Sequence, residues 1–328
     1  MGQIKARIIG TGSYVPPRRL TNAEFEKTID TSDEWIVTRT GIRERRIAAN
    51  GTATSEMATE AARAALAMSD LAPDQIDLVI IGTVTPDYRV PATACLVQER
   101  LGLVNAVAFD IAAACTGFIS GLTIASSFIS SGQHTNALVV GAEKLSSITN
   151  WNDRGTCILF GDAAGAAVVT GDDSGRGLLA SFMRSDGRYS QLLWQKVGGT
   201  AFPYTPEFPF DGSDKLVMNG SEVFKVAVRE MANAAERVVA DAGIDSNDIA
   251  LIVPHQANIR IIEALAKRMK VSMDRVYLNI DRYGNTSAAS VPLALDEANR
   301  AGMLHPGDHI LLVAFGGGLI WGSALVRW

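Results

Sequence analysis

The chain of 328 residues is 47% hydrophobic and 20% charged, enough apolar material for one large domain or two medium ones. Its formal net charge of -5 excludes general nucleic-acid binding, which needs a clear basic excess, while leaving room for a local basic patch. No apolar run approaches the roughly eighteen residues of a membrane span, and residues 1–7 lack an apolar stretch behind their charges, so a cytoplasmic protein without a membrane partner is expected.

Taken in chain order, the first apolar run ends in Gly10-Thr11-Gly12, but Pro16-Pro17 stand where a dinucleotide-binding helix would begin, so the G-x-G fails its context. Residues 61–81 read as an alanine-rich helix, a Leu71-Ala72-Pro73-Asp74 turn and the apolar strand Leu78-Val79-Ile80-Ile81. Residues 234–254 repeat that plan at an offset of 173 without a gap: Ala62 meets Ala235, Ala67 meets Ala240, Ile76 meets Ile249 and Leu78 meets Leu251. Residues 132–141 parallel 307–316 at an offset of 175, each a glycine turn followed by a buried strand. Short β-rich runs alternating with helical patterns imply α/β units around mostly parallel strands. The expected architecture is a duplicated α/β fold with halves 1–172 and 173–328 in one compact core, since no charged or Pro/Ser-rich linker separates them.

Three cysteines, Cys95, Cys115 and Cys157, match neither a disulfide framework nor paired metal-ligand motifs. Residues 105–111 read as a strand, Ala112-Ala113-Ala114 are small, and Cys115-Thr116-Gly117 opens a helix through Leu122, Ile124, Phe128 and Ile129. Free N-H groups and the dipole at a helix start favour a thiolate and lower its pKa, the condition for a nucleophile. A free cysteine is also commonly a small buried hydrophobe. Position alone leaves both readings of Cys115 open, whereas Cys95 and Cys157 sit in apolar runs that suit only the second.

Residues 198–220, rich in Gly, Pro, Phe and Asp, read as a long loop whose Phe202, Tyr204, Phe208 and Phe210 either shape a binding tunnel or cover the surface. His255, in Pro254-His255-Gln256-Ala257-Asn258, directly follows an apolar strand, where α/β folds open onto their sites. The repeat sets it opposite Gly82. Asn285 lies at a helix start that roughly matches Cys115 in the other half. A hydrogen-bonded structural His and an Asn N-cap are the alternatives. His134, His305 and His309 fall in turn-like stretches and read as solvated. Phe315-Gly316-Gly317-Gly318 follows a strand, and such glycines let backbone N-H groups approach a ligand closely, as an oxyanion hole requires. Residues 260–269 form an amphipathic helix with Ile261, Ile262, Leu265 and Met269 on one face and Arg260 and Lys267 on another.

These segments resemble the β-ketoacyl-[acyl-carrier-protein] synthase III family of the thiolase superfamily nearly end to end. The resemblance is carried by Thr31-Ser32-Asp33-Glu34-Trp35-Ile36, Thr40-Gly41-Ile42-Arg43, residues 112–117, Pro254-His255-Gln256-Ala257-Asn258, residues 284–290 and residues 315–318. It implies a five-layered αβαβα thiolase fold of two similar halves, a homodimer, and a catalytic triad of Cys115, His255 and Asn285. It implies that Cys115 takes an acyl group from an acyl-CoA, acetyl or another short or branched chain. The backbone N-H groups of Cys115 and Gly318 would serve as oxyanion hole. Malonyl-acyl carrier protein would then condense by decarboxylation and open fatty acid biosynthesis, with no metal or redox cofactor. It further implies that Trp35 and Arg154 sandwich the CoA adenine, with Arg39 near its phosphates and Asn258 near the pantetheine arm. Acyl carrier proteins are acidic, so Lys225, Arg260 and Lys267 are the expected docking patch. Val90, at a position often Phe in acetyl-using relatives, is expected to line the acyl tunnel of the neighbouring subunit.

Overall fold

A computed structural model describes residues 4–205, 207–208 and 211–328. The first half runs β1 (Lys5–Tyr14), β2 (Arg18–Thr21), α1 (Asn22–Phe25), α2 (Asp33–Thr40), β3 (Glu44–Ile47), α3 (Thr54–Ser69), β4 (Leu78–Gly82), α4 (Thr93–Leu101), β5 (Val107–Ile111), α5 (Gly117–Ser130), β6 (Asn136–Lys144), α6 (Arg154–Cys157) and β7 (Asp162–Asp172). The second runs β8 (Gly177–Ser185), β9 (Leu193–Gln195), β10 (Leu216–Met218), α7 (Gly220–Ala242), β11 (Ile249–Pro254), α8 (Ile259–Met269), α9 (Ile280–Tyr283), α10 (Ser290–Arg300), β12 (His309–Gly316) and β13 (Ile320–Arg327).

Two sheets carry the duplication. One has the order β1-β7-β6-β4-β5 and the other β8-β13-β12-β11, so each position of the second has a counterpart in the first. Residues around Val276, which bridge Ile252 in parallel, stand where β5 stands in the first half. The register preserves the repeat: Leu78 pairs with Ala137 in one sheet and Leu251 with Ile310 in the other, the same offset of 173 on both strands. The 175 offset seen between the glycine turns therefore belongs to the turns and not to the ladders.

Because side chains alternate across a strand, β4 divides its apolar run between two cores. Leu78 and Ile80 face a central layer made by α5 and α10, together with Leu251, Val253, Ile310 and Leu312 from the other sheet. Val79 and Ile81 face an outer layer with Ala61, Ala62 and Ala65 of α3 and Val97 of α4. On the far side Ile252, Leu311 and Val313 pack under α7 and α8. The result is helix, sheet, helix, sheet, helix, the five-layered αβαβα arrangement. Among the described residues no helix is long and apolar enough to cross a membrane.

Gly10-Thr11-Gly12 has a packing role. A Cβ on Gly10 would lie 2.3 Å from the Ala65 carbonyl oxygen, and one on Gly12 would lie 2.2 Å from that of Ala61. The two glycines let the alanine-rich α3 lie against β1, where overpacking would cost about 1–3 kcal/mol.

The segment expected as a long loop is partly ordered into a ribbon: β10 pairs antiparallel with β9, Val217 opposite Trp194. Hydrogen bonds between positions so far apart leave no local signature in sequence. Phe202 and Tyr204 are exposed, and Phe210 lies outside the described residues.

Candidate active site

The site is built where the two halves present matching turns. A 3₁₀ turn at Ala114–Thr116 leads into α5, and another at Ser287–Ala289 leads into α10. Each begins with a non-glycine residue in the left-handed region, Ala114 at φ 43 and Ser287 at φ 49. Such backbone is uncommon outside glycine and marks sites where surrounding structure imposes it. By the offset of 173 the counterpart of Cys115 is Ala288. Asn285 precedes its turn and does not match Cys115, which corrects the equivalence drawn from sequence.

Cys115 is buried, and burial pushes its thiol up to about 12; a hydrogen bond from Ser287 works in the opposite direction, and the charge of Glu143 adds to the rise. Desolvation of the charged form thus opposes the lowering expected from the helix start. His255 follows β11, as the sequence indicated, with its backbone N-H donating to the Val313 carbonyl at 2.8 Å. Burial pushes its imidazole down to about 3, so the ring is neutral, and Nδ1 has no hydrogen-bond partner among the described residues.

Asn285 is fixed through its backbone, its N-H donating to Leu159 O at 2.8 Å and its carbonyl accepting from Gly161 at 3.0 Å. The side-chain oxygen accepts from the Ser287 N-H at 2.9 Å, which leaves the amide NH2 as its donor end. Opposite, the loop after β12 closes on the cysteine. A Cβ on Gly316 would lie 2.6 Å from the Cys115 nitrogen and 3.0 Å from its Cβ, so only glycine permits this approach.

These groups line one cavity of about 600 Å³ with Cys115, His255, Asn285 and the loop from Phe315 to Gly318. Its exposed end carries Arg39, with Trp35 and Asn258 half-buried. The guanidinium groups of Arg39 and Arg154 lie 4.6 Å and 4.8 Å from the Trp35 ring centroid. A base between Trp35 and Arg154 needs two contacts of about 3.5–4 Å, so Arg154 must swing outward to admit one. Arg154 is also held by the Asp30 carbonyl at 2.8 Å. Asn258 caps α8 by accepting from the Arg260 N-H at 2.9 Å and donates to the Arg39 carbonyl at 2.9 Å, tying α8 to α2. The deeper wall comes from the ribbon: Leu193, Trp194, Leu216 and Met218 line the cavity, whereas Phe202, Tyr204 and Phe208 do not.

The remaining expected residues lie outside this cavity. Val90 is 85% exposed and is not part of the lining. Lys225 is exposed and paired with Glu222 at 2.7 Å. Arg260 lies over the Phe224 ring at 5.4 Å, and Lys267 is exposed further along α8. Cys157 is buried in α6, and Cys95 is half-buried in α4.

Two residues of the site escaped sequence reasoning. Gln256 locks the turn bearing His255: its N-H donates to Ser290 Oγ at 2.7 Å, its amide donates to Pro254 O and Tyr277 O, and its oxygen accepts from the N-H groups of Asn279 and Ile280. Glu143, at the end of the apolar strand β6, is buried against the Ser287 turn. A lone carboxylate closing an apolar strand was the available signal.

A buried cysteine, a neutral imidazole and an amide meeting at the end of a long cavity, inside a duplicated five-layered fold, define an acyltransferase of the thiolase-fold condensing class. Residues 109–187 match the model of the 3-oxoacyl-[acyl-carrier-protein] synthase III family and residues 239–328 that of its C-terminal part. The chain is 52% identical to the β-ketoacyl-[acyl-carrier-protein] synthase III of Caldanaerobacter subterraneus subsp. tengcongensis, over 99% of this chain and 98% of that one. It superposes on the 3-oxoacyl-[acyl-carrier-protein] synthase III of Aquifex aeolicus with a TM-score of 0.92 at 49% identity, covering 98% of this chain and 100% of the other. The priming β-ketosynthase of the R1128 polyketide pathway also matches, with a TM-score of 0.92 and 36% identity over 99% and 97% of the two chains. The chain belongs to the β-ketoacyl-[acyl-carrier-protein] synthase III family.

Proposed function

We propose that this enzyme opens fatty acid synthesis by condensing an acetyl or other short or branched acyl group from CoA with malonyl-acyl carrier protein. The observation that carries the assignment of roles is the meeting of Cys115, His255 and Asn285 at the buried end of one cavity. In the first stage the Cys115 sulfur attacks the thioester carbonyl while its proton passes to the neutral His255. The backbone N-H groups of Cys115 and Gly318 hold the oxyanion, a contribution of roughly 3 kcal/mol for each such donor. The C-S bond to CoA then breaks, and the CoA sulfur recovers the proton from His255.

In the second stage the bond between the malonyl carboxylate and its α-carbon breaks, releasing CO2 and placing the electron pair in an enolate. His255 N-H and the Asn285 amide donate to the enolate oxygen, roles open to a neutral ring and an amide whose own oxygen is already occupied. The carbanion attacks the acyl-cysteine, the C-S bond breaks, and the Cys115 thiolate takes a proton from solvent. The balance needs neither a metal nor a redox cofactor.

CoA is held by Trp35, Arg154, Arg39 and Asn258, and acyl carrier protein docks on Lys225, Arg260 and Lys267. Halves 1–172 and 173–328 supply the nucleophile and the two donors respectively. The enzyme works as a cytoplasmic homodimer, without nucleic-acid or membrane partners. The dimer is supported by β5 at a sheet edge, with its first residue Val107 and the preceding Val104 exposed, an arrangement that invites pairing. Val90 then reaches the partner's acyl tunnel. The test is CO2 release from malonyl-acyl carrier protein by His255→Ala and Asn285→Ala: both should lose it by two orders of magnitude or more, and undiminished release would remove their role.

A further inference from the structure

One fully buried carboxyl beside the nucleophile has no part in this chemistry. Glu143 accepts from Thr83 Oγ1 at 3.3 Å, from the Val84 N-H at 3.1 Å and from Thr85 Oγ1 at 2.7 Å, all in the segment after β4. From the other half Ser287 Oγ donates to its second oxygen at 3.1 Å. Across the ladder it meets Ala163 of β7. The ammonium of Lys144 turns away onto the carbonyls of Ala49 and Thr52. Its charge opposes the thiolate of Cys115. Without a cation, burial pushes this carboxyl up to about 7.

Ser287 stands between the two. It donates to Glu143 and lines the same cavity as Cys115, where a hydrogen bond from it would favour the thiolate. A hydroxyl has one proton and cannot donate to both. The matching turn of the first half carries Ala114 at this left-handed position, so of the two turns the one bonded to Glu143 carries the hydroxyl.

We propose that Glu143 is a positioning residue that sets the acidity of Cys115 through Ser287. The charged carboxylate draws the Ser287 proton to itself; the neutral acid donates to Ser287 Oγ and turns that proton onto the sulfur. The inference rests on Cys115 being the nucleophile.

Alkylation of Cys115 by iodoacetamide across pH, read by intact mass, measures its acidity without any acyl substrate. A failure here is therefore distinguishable from a failure of the acyl-transfer assignment. In Glu143→Gln the side-chain oxygen faces Thr83, Val84 and Thr85, and the NH2 becomes a fixed donor to Ser287. Alkylation at pH 7 should rise about tenfold, one unit in thiol pKa. In a Ser287→Ala background the same substitution should change the rate by no more than about twofold. A Glu143→Gln profile equal to or slower than wild type at every pH overturns the proposal. So does an equal acceleration without Ser287, which would assign the effect to charge alone. Should the Gln variant not fold, Thr85→Val, which removes a donor to the carboxylate and raises its proton affinity, should also speed alkylation near neutral pH. An unshifted profile there would overturn it as well.

Discussion

Gly316→Ala tests how the loop after β12 sets the nucleophile. The added Cβ would lie 2.6 Å from the Cys115 nitrogen, 3.0 Å from its Cβ and 3.2 Å from the Ala114 Cβ, whereas ordinary contact begins at 3.4 Å. The nearest atom is backbone, so the turn bearing Cys115 must retreat by roughly 0.8 Å or the loop must lift by as much. Overpacking of this kind costs about 1–3 kcal/mol, a fall of roughly 2–4 °C in melting temperature for a chain of this size. A displacement near 1 Å at a reacting atom slows chemistry by about two orders of magnitude. Stopped-flow acylation by acetyl-CoA, with scanning calorimetry on the same sample, reads both numbers. A variant that melts lower but acylates at the wild-type rate would refute the idea that this contact positions the sulfur.

Other expectations follow from the site. Glu143 keeps its proton in the fold up to about pH 7, whereas its ordinary value is 4.5, so the stability it contributes is complete below 4.5 and lost as pH rises through 7. The difference is worth about 3 kcal/mol, and Glu143→Gln should flatten the pH dependence of urea unfolding between pH 4 and 8 by that order; an unchanged pH dependence speaks against it. Trp35→Ala removes the face on which Arg39 and Arg154 lie, and should raise KM for acyl-CoA by about five- to thirtyfold while sparing acyl-pantetheine. Equal losses on both substrates would place Trp35 in the core instead. Val90→Phe should narrow the acyl range, lowering kcat/KM for four- and five-carbon chains by roughly tenfold or more against acetyl. An unaltered chain-length profile would remove Val90 from specificity.

Sequence alone disclosed what short-range pattern encodes. The helix-turn-strand unit of residues 61–81 recurs at 234–254 because both halves bury the same faces, and the ladders keep that offset of 173. His255 was placed at a strand end by the apolar run before it. What depended on distant packing was misjudged or missed. Pro16-Pro17 already ruled out a dinucleotide loop at Gly10 and Gly12, but the place of these glycines under α3 was not legible. The helix start at Cys115 was legible, whereas the burial that opposes its ionisation comes from the full fold. The β9–β10 ribbon and the clamp of Gln256 join residues whose proximity no periodicity announces.

The central claim is that Cys115 carries the acyl group. Intact-protein mass spectrometry after incubation with a panel of acyl-CoAs reads it directly. Wild type should gain the mass of one acyl group and lose it on adding malonyl-acyl carrier protein, while Cys115→Ala gains none. Equal acylation of the Ala variant, or no gain in wild type with any chain, would contradict the assignment.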